Sequence, residues 1–212
     1  MNSGLIKSIV FDMDGVLIDA QDWHYDAFND ALALFGLNIS REEHLSTFDG
    51  LSTAQKLNIL SQTKSLPTSL HDFINEMKQS ITMDIVHKLC HPLPHHLDAV
   101  ARLQSDGYRL AVASNSIRRT IEVMMERAQL APFMEFYLSN QDVVNPKPDS
   151  EIYLKAIAQL GLPPSSVLIV EDSDIGFRAA KGSGAHVFKV NSVYDVTYDN
   201  IKNYIKGLES NA

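Results

Sequence analysis

Short apolar runs alternate with longer amphipathic stretches through the second half of the chain, and this alternation constrains the fold most. The runs are rich in β-branched residues, as strands are, and the stretches between them are long enough for helices that connect parallel strands. Such a pattern predicts a doubly wound α/β fold with a parallel sheet between helices. The runs are 109–113, 136–138, 167–170 and 186–190, and the stretches are 95–106, 117–129, 150–160 and 174–183.

An earlier apolar run, 6–11, lacks period-two alternation and therefore resembles a strand that is buried on both faces of the same sheet. Only helical spacing follows it, up to the proline-bounded segment around Pro92 and Pro94. We therefore predict a Rossmann-like core of residues 1–17 and 90–212 with an inserted all-helical cap, residues 18–89. The helical patterns of the cap cover 23–37, 52–61 and 70–89.

Charge and composition exclude several classes of partner. A formal net charge of -8, with 18 scattered basic residues among 212, argues against a nucleic-acid groove. There is no run of eighteen apolar residues, so no membrane partner is expected. With a single cysteine, Cys90, and no signal-like leader, we expect a cytoplasmic protein, with monomer as the default state.

Polar side chains follow three of the predicted strands directly. Ligands of parallel sheets bind at the carboxyl ends of the strands, so these residues should meet at one edge. Carboxylates gathered there would repel each other and become protonated unless a cation lay among them, and Mg²⁺ is the natural choice for oxygen ligands. The three groups are Asp12 with Asp14, Ser114-Asn115-Ser116, and Glu171-Asp172-Ser173-Asp174.

Lys147 stands between Pro146 and Pro148. A lone lysine is most often a surface residue, but two prolines stiffen this loop, so its ammonium can be held against a phosphoryl oxygen or a carboxylate. Together with the acidic pairs, it indicates phosphoryl chemistry with a small phosphorylated metabolite as the partner.

Four sequence segments, in order, resemble the motifs of the haloacid dehalogenase superfamily, in the branch with a helical cap after the first strand. Each segment alone is weak evidence, but four at strand ends are strong, and the resemblance covers nearly the whole chain. The segments are Asp12-Met13-Asp14-Gly15-Val16-Leu17-Ile18-Asp19, then Ser114-Asn115, Lys147-Pro148, and Glu171-Asp172-Ser173 with Gly176 and Ala179-Ala180.

The resemblance implies the roles of the residues. Asp12 would attack phosphorus and form an aspartyl-phosphate, and Asp14 would act as general acid and then general base, with a pKa near the working pH. Lys147 would neutralise charge. Because dehalogenating members lack a carboxylate at the position of Asp14, dehalogenation is not expected. Mg²⁺ would be held by Asp12, the main-chain carbonyl of Asp14, Asp172 and Glu171, and phosphoryl oxygens by Ser114 and the backbone N–H of Asn115.

Within the superfamily, the chain is most similar to the β-phosphoglucomutase and phosphoglycolate phosphatase set. His24 would hydrogen-bond to Asp14, as in the mutases, and Ser52 lies in a segment similar to the mutase cap loop. Thr53, however, stands where the mutases have an arginine that binds the second phosphate, so we favour a phosphatase. The alternatives are a sugar-phosphate mutase and a binding module without catalysis. Candidate specificity contacts are Ser52, Thr53, Lys56 and His44.

Four histidines cluster near the predicted domain junction. They could form a transition-metal site, but nothing fixes them toward one point, so we interpret them as surface residues with no assigned role. They are His87, His91, His95 and His96.

Overall fold

A computed structural model of the protein, which describes residues 5–210, contains a five-stranded parallel sheet in the order β3-β2-β1-β4-β5. The predicted α/β fold class is therefore confirmed, and each strand lies within one residue or two of the apolar run that predicted it. The strands are β1 (Ser8–Phe11), β2 (Arg109–Ala113), β3 (Tyr137–Leu138), β4 (Val167–Glu171) and β5 (His186–Lys189).

Helices cover both faces of the sheet, which is why the strands are apolar without alternation. The helices of the core are α5 (Pro94–Ser105), α6 (Arg118–Arg127), α7 (Glu151–Leu160), α8 (Asp174–Gly182) and α9 (Tyr198–Ser210). In β1, Ile9 and Phe11 pack on one face of the sheet with α5, α6 and α9, and Val10 packs on the other face with α7 and α8. The sequence patterns had not predicted α9.

The helices between β1 and α5 bury an apolar cluster of their own, which includes Phe28, Leu57 and Ile74. They are α1 (Gln21–Ala33), α2 (Arg41–Glu43), α3 (Thr53–Thr63) and α4 (His71–Leu89). We continue to propose the division into core and cap at residues 18 and 89, although its outer limits, residues 1–4 and 211–212, lie outside the described residues. Between residues 5 and 210, no helix is long and apolar enough to cross a bilayer.

The interpretation of the four clustered histidines as surface residues is wrong for His96. Its side chain is only 1% exposed, and its Nε2 lies 2.8 Å from the carbonyl oxygen of Val193. His95 contacts the same carbonyl at 3.1 Å, whereas His87 and His91 are exposed. Burial lowers the pKa of His96 to about 4, so it is a neutral packing residue of α5.

Candidate active site

The three central strands deliver the predicted residues to one edge of the sheet. In the register of the sheet, Phe11 lies beside Val112 and Val170, so the residues that follow these positions are neighbours. The backbone N–H of Asp12 donates to the carbonyl of Val170 at 2.9 Å, which holds Asp12 against the end of β4. The carboxyl ends of β1, β2 and β4 therefore lie side by side, as the sequence predicted.

Lys147 and Asp12 form a buried ion pair at this edge. The Lys147 ammonium donates to Asp12 Oδ1 and to Glu171 Oε1, both at 2.7 Å, and to the Ala113 carbonyl at 2.9 Å. It also lies 2.7 Å from the hydroxyl of Tyr153, which donates to Glu171 Oε1 at 2.6 Å. Lys147 is 3% exposed, and the structure places it where the sequence predicted, as a buried counter-charge for Asp12.

Burial is the largest single effect on the pKa of each residue of this pair, but it sets the direction of the shift only for Asp12. It raises the pKa of Asp12 well above its usual value, against the opposing effect of Lys147, and the charges of Glu171 and Asp172 raise it further. Burial alone would lower the pKa of Lys147, but Asp12 and Glu171 outweigh it and raise that pKa overall. The ammonium therefore stays charged. One positive charge does not balance the carboxylates of Asp12, Glu171 and Asp172, so a further cation could be held among them.

Asp14 lies beside this pair with different partners. Its Oδ2 accepts a hydrogen bond from the Ser116 hydroxyl at 2.9 Å, and its Oδ1 lies 3.0 Å from Nε2 of His24. Burial raises the pKa of Asp14, but His24, Ser116 and Lys78 together lower it below its usual value. The direction of this shift is opposite to the expected pKa near the working pH, because these three neighbours favour the carboxylate.

His24 connects Asp14 to a buried lysine of the cap. Lys78 Nζ, on α4, lies 3.1 Å from Nδ1 of His24, and an ammonium can only donate there. A neutral His24 that accepts at Nδ1 carries its proton on Nε2, which faces Asp14. Burial and the charge of Lys78 lower the pKa of His24, which favours this neutral form. The predicted contact between His24 and Asp14 is thus present, with a lysine behind it.

Three carboxylates could hold a metal ion. Asp12, Glu171 and Asp172 each offer an oxygen within 4.8 Å of the others. Asp172 Oδ2 accepts from the Gln21 amide at 2.9 Å, but Oδ1 is buried without a hydrogen-bond partner among the described residues. Burial, Glu171 and Asp49 raise the pKa of Asp172 to about 7. A buried oxygen without a partner and mutually repelling acids are what a hard divalent cation would satisfy, so the residues fit Mg²⁺.

Among these carboxylates, Glu171 has the most protein contacts. Its Oε1 accepts from Lys147 and Tyr153, and its Oε2 accepts from the backbone N–H of Asp172 at 3.1 Å. The geometry therefore gives Glu171 a clear function in orienting Lys147, while its role as a metal ligand stays a prediction. Gly15 leaves space for the cluster, since its φ is +86° and an added Cβ would overlap the Asp172 carboxylate.

Ser114 and Asn115 lie at the same edge, but their side chains bond within the protein. Ser114 Oγ accepts from the Ser116 backbone N–H at 3.0 Å. The Asn115 amide donates to the Gly50 carbonyl at 2.9 Å and the Lys147 carbonyl at 3.2 Å, and its oxygen accepts from the Lys147 N–H. Asn115 therefore joins the cap loop to the lysine loop, and phosphate binding through its backbone N–H remains a prediction.

The cap closes over this edge and leaves a cavity of about 460 Å³. Ser52, which lines it, is also the N-cap of α3: its hydroxyl contacts the Gln55 amide oxygen at 2.9 Å and accepts from the Gln55 N–H. Ser52, which was predicted to bind substrate, therefore caps α3 and also forms part of the cavity wall. The other predicted specificity contacts, Thr53, Lys56 and His44, line the same cavity.

The contributions of Tyr153, Lys78, Ser116 and Gln21 were not predicted. Ser116 was expected at this edge of the sheet, after Ser114 and Asn115, but its hydrogen bond to Asp14 was not predicted. Tyr153 and Lys78 lie at interior positions of α7 and α4, where their spacing is that of ordinary core-facing residues. Only the tertiary structure brings them to the site.

A family model for haloacid dehalogenase-like hydrolases matches residues 9–190. The chain belongs to this family. The resemblance seen in the sequence motifs and the interpretation as an enzyme are thereby confirmed. As a haloacid dehalogenase-like hydrolase, the chain has phosphatases among its relatives, and the acidic cluster occupies the position that its motifs predicted.

Relatives of known name align with most of this haloacid dehalogenase-like hydrolase. It is 27% identical over 182 residues to a phosphorylated carbohydrates phosphatase of Thermotoga maritima, which covers 84% of this chain and 82% of that protein. It is 25% identical to a phosphoglycolate phosphatase of Salmonella typhi, over 84% of this chain and 79% of that protein.

Solved structures of similar fold also align with most of the chain. CbbY from Rhodobacter sphaeroides, in complex with phosphate, is 26% identical with a TM-score of 0.77 and covers 86% of this chain and 84% of its own. A β-phosphoglucomutase from Clostridium difficile is 19% identical with a TM-score of 0.84, over 96% of this chain and 98% of its own, and shows the shared fold.

Proposed function

We propose that this protein is a Mg²⁺-dependent phosphatase that hydrolyses a small phosphomonoester, such as a sugar phosphate, through an aspartyl-phosphate on Asp12. The observation that carries the proposal is the buried Asp12 carboxylate, held 2.7 Å from Lys147 beside Glu171 and Asp172, with Asp14 and its hydrogen-bond partners next to it. A cavity of about 460 Å³ in front of it suits a small metabolite.

In the first step, a carboxylate oxygen of Asp12 attacks the phosphorus of the ester, and the bond between phosphorus and the alcohol oxygen breaks. The leaving oxygen takes a proton from Asp14 and departs as the alcohol. Lys147 stays bound to Asp12 and offsets the charge that gathers at the phosphoryl group.

In the second step, water attacks the phosphorus of the aspartyl-phosphate. Asp14, now ionised, takes a proton from that water, and the bond between phosphorus and Asp12 breaks to release inorganic phosphate. Bound Mg²⁺, held by Asp12, the Asp14 carbonyl and Asp172, would supply charge stabilisation for the phosphoryl oxygens in both steps.

Asp14 needs a proton for the first step although His24, Ser116 and Lys78 favour its ionised form. The negative charge of a bound phosphate would raise its pKa, because like charges at close range disfavour ionisation. His24, with its Nε2 at 3.0 Å, would hold the carboxylate in place through both steps.

Hydrolysis is favoured over phosphoryl transfer between sugar hydroxyls because Thr53 replaces the arginine expected of a mutase. Without a bidentate clamp, a bisphosphate intermediate is held less firmly while it reorients. The names of the relatives, a phosphorylated carbohydrates phosphatase and a phosphoglycolate phosphatase, support the same substrate class. A binding module without catalysis is disfavoured by the complete set of acid, lysine and metal-site residues.

Turnover of p-nitrophenyl phosphate tests the proposal. We expect activity that requires Mg²⁺ and is lost with EDTA. Asp12→Asn should reduce it at least about a thousandfold, because the nucleophile is removed. Asp30→Asn, an exposed acid on α1, is the matched control and should retain it. Equal activity of Asp12→Asn and the parent protein would refute the assignment.

Product analysis separates the two enzymatic alternatives. With β-glucose 1-phosphate and a bisphosphate activator, a phosphatase releases inorganic phosphate, whereas a mutase yields the 6-phosphate. Accumulation of glucose 6-phosphate without phosphate release would overturn the preference for hydrolysis.

A further inference from the structure

Lys56 is a buried cation on the cap side of the active-site cavity. Lys56 lies on α3, one turn after Ser52, and is only 8% exposed. Its ammonium has no hydrogen bond or ion pair with any described residue, and the ring of Phe28, with its centroid 5.8 Å away, is its one cation–π contact. Since Lys56 lines the cavity, this ammonium faces the space that a substrate would fill.

The other lysines of the cavity already have partners. Lys147 is bonded to Asp12 and Glu171, and Lys78 lies 3.1 Å from His24. Asp49 is the acid whose charge acts most on Lys56, yet no ion pair within 4.0 Å joins them. Of the three lysines that line the cavity, Lys56 is therefore the one without an acceptor among residues 5–210.

A largely buried ammonium without a counter-charge is costly, because burial removes part of its hydration and no carboxylate of the described residues pairs with it. Burial accordingly lowers the pKa of Lys56 to about 8, although Asp49 and Asp14 oppose the shift. An incoming anion would restore the lost stabilisation, whereas a hydroxyl would restore only a hydrogen bond. The Lys56 ammonium is therefore placed to bind a negatively charged ligand.

We propose that Lys56 binds a second anionic group of the substrate, at the end remote from the phosphoryl group that Asp12 attacks. This inference rests on the proposed phosphatase function and narrows its substrate class to phosphomonoesters with a distal phosphate or carboxylate. Asn75 and Gln79 of α4 line the cavity as well and can hydrogen-bond to a polar middle section.

The proposal is compatible with Thr53 in place of an arginine. A lysine ammonium is a compact point charge, whereas a guanidinium grips a phosphate with a planar, bidentate fork. Lys56 can therefore orient one end of a substrate for hydrolysis without supplying the firm clamp that a reorienting bisphosphate needs.

Matched pairs of substrates test the proposal. Phosphoglycolate against 2-hydroxyethyl phosphate varies a distal carboxylate, and glucose 1,6-bisphosphate against glucose 1-phosphate varies a distal phosphate. We expect kcat/KM to be about tenfold or more higher for the anionic member of at least one pair, since a charge-assisted contact is worth about one decade or more. The pair that shows the preference identifies the anion.

Variants then assign the preference to Lys56. Lys56→Met should reduce the ratio of kcat/KM within the preferred pair about tenfold, mainly through KM, and Lys56→Arg should restore most of it. Lys88→Met, an exposed lysine of the same cap, is the control and should keep the parent ratio. A substrate ratio near one in the parent, or a ratio unchanged in Lys56→Met, would overturn the inference.

The two proposals fail in different ways. If the parent protein hydrolyses no phosphomonoester with Mg²⁺, the phosphatase function itself is wrong and the inference falls with it. If the parent hydrolyses both members of each pair equally well, the phosphatase function stands and only the role of Lys56 is wrong.

Discussion

At the scale of single residues, the Lys147 ammonium has more acceptors than protons. Its three protons face Asp12, Glu171, the Ala113 carbonyl and the Tyr153 hydroxyl. Removing the tyrosine hydroxyl therefore leaves every proton with an acceptor, whereas removing the ammonium leaves buried carboxylates without a counter-charge. The Lys147 charge should therefore contribute more to the stability of the fold than the Tyr153 hydroxyl, although both side chains are buried in one network.

We expect Lys147→Met to lower the free energy of unfolding by about 3–5 kcal/mol, because it breaks a buried ion pair, and to abolish phosphatase activity. Tyr153→Phe should cost less, about 1.5–3 kcal/mol, the net value of a hydrogen bond to a charged group, because Glu171 loses the donor while Lys147 keeps three acceptors. Urea unfolding in the presence of EDTA measures both without help from a metal. Similar losses in the two variants would show that the hydroxyl is as important as the charge.

Residues that follow strand ends could be predicted from the sequence, because parallel strands place their carboxyl ends together whatever the order of the sheet. The carboxylate oxygens of Asp12, Glu171 and Asp172 lie within 4.8 Å of one another for that reason, whereas Lys147 comes from the loop between β3 and α7. The partners Tyr153 and Lys78 could not be predicted, since they approach from helices whose rotation and distance are set by packing. The lowered pKa of Asp14 was missed partly for the same reason, since Lys78 on α4 contributes to it.

At the scale of elements, the start of α3 does two things. Ser52 and Gln55 form a capping box, in which the Gln55 amide oxygen accepts from the Ser52 backbone N–H at 2.9 Å. The Gln55 amide nitrogen also donates to the Lys147 carbonyl across the cap interface, at 3.3 Å. One side chain thus begins a cap helix and fastens it to the lysine loop of the core.

Two substitutions of Gln55 separate these functions. Gln55→Glu keeps an acceptor for the capping box but loses the N–H donor to Lys147, while Gln55→Ala loses both. We expect both to raise KM by roughly fivefold, the equivalent of one hydrogen bond of about 1 kcal/mol, and only Gln55→Ala to lower the melting temperature clearly. Gln62→Ala, exposed on the same helix, is the control. An unchanged KM in Gln55→Glu would contradict a fastening role.

The strands were predictable because burial on both faces requires continuous apolar runs, which few other elements show. The helix α9 was missed although its sequence carries a helical pattern, in which Tyr198, Ile201, Tyr204, Ile205 and Leu208 recur at helical spacing and pack against the core. Its packing against α5 and the sheet depends on contacts with Tyr108 and Asp106 that are remote in sequence.

At the scale of the whole molecule, the sheet concentrates carboxylates at one edge and so links folding to pH and to metal. The pKa of Asp172 is about 7 in the folded protein and near 3.8 when unfolded. A raised folded-state pKa means that the unfolded chain loses its proton first, so this group destabilises the metal-free fold progressively as pH rises from about 4 to 7. Mg²⁺ acts in the opposite direction, since it binds the ionised carboxylates.

We therefore expect saturating Mg²⁺ to raise the melting temperature more at pH 8 than at pH 6, where protons compete for Asp172. Asp172→Asn should remove most of this Mg²⁺ effect and make the metal-free protein less sensitive to pH between 5 and 8. Asp174→Asn is the control, because Asp174 is exposed and paired with Lys189. Thermal unfolding with Mg²⁺ or EDTA across this range decides the matter. An equal Mg²⁺ effect at both pH values, or one that survives in Asp172→Asn, would mean that the metal binds elsewhere.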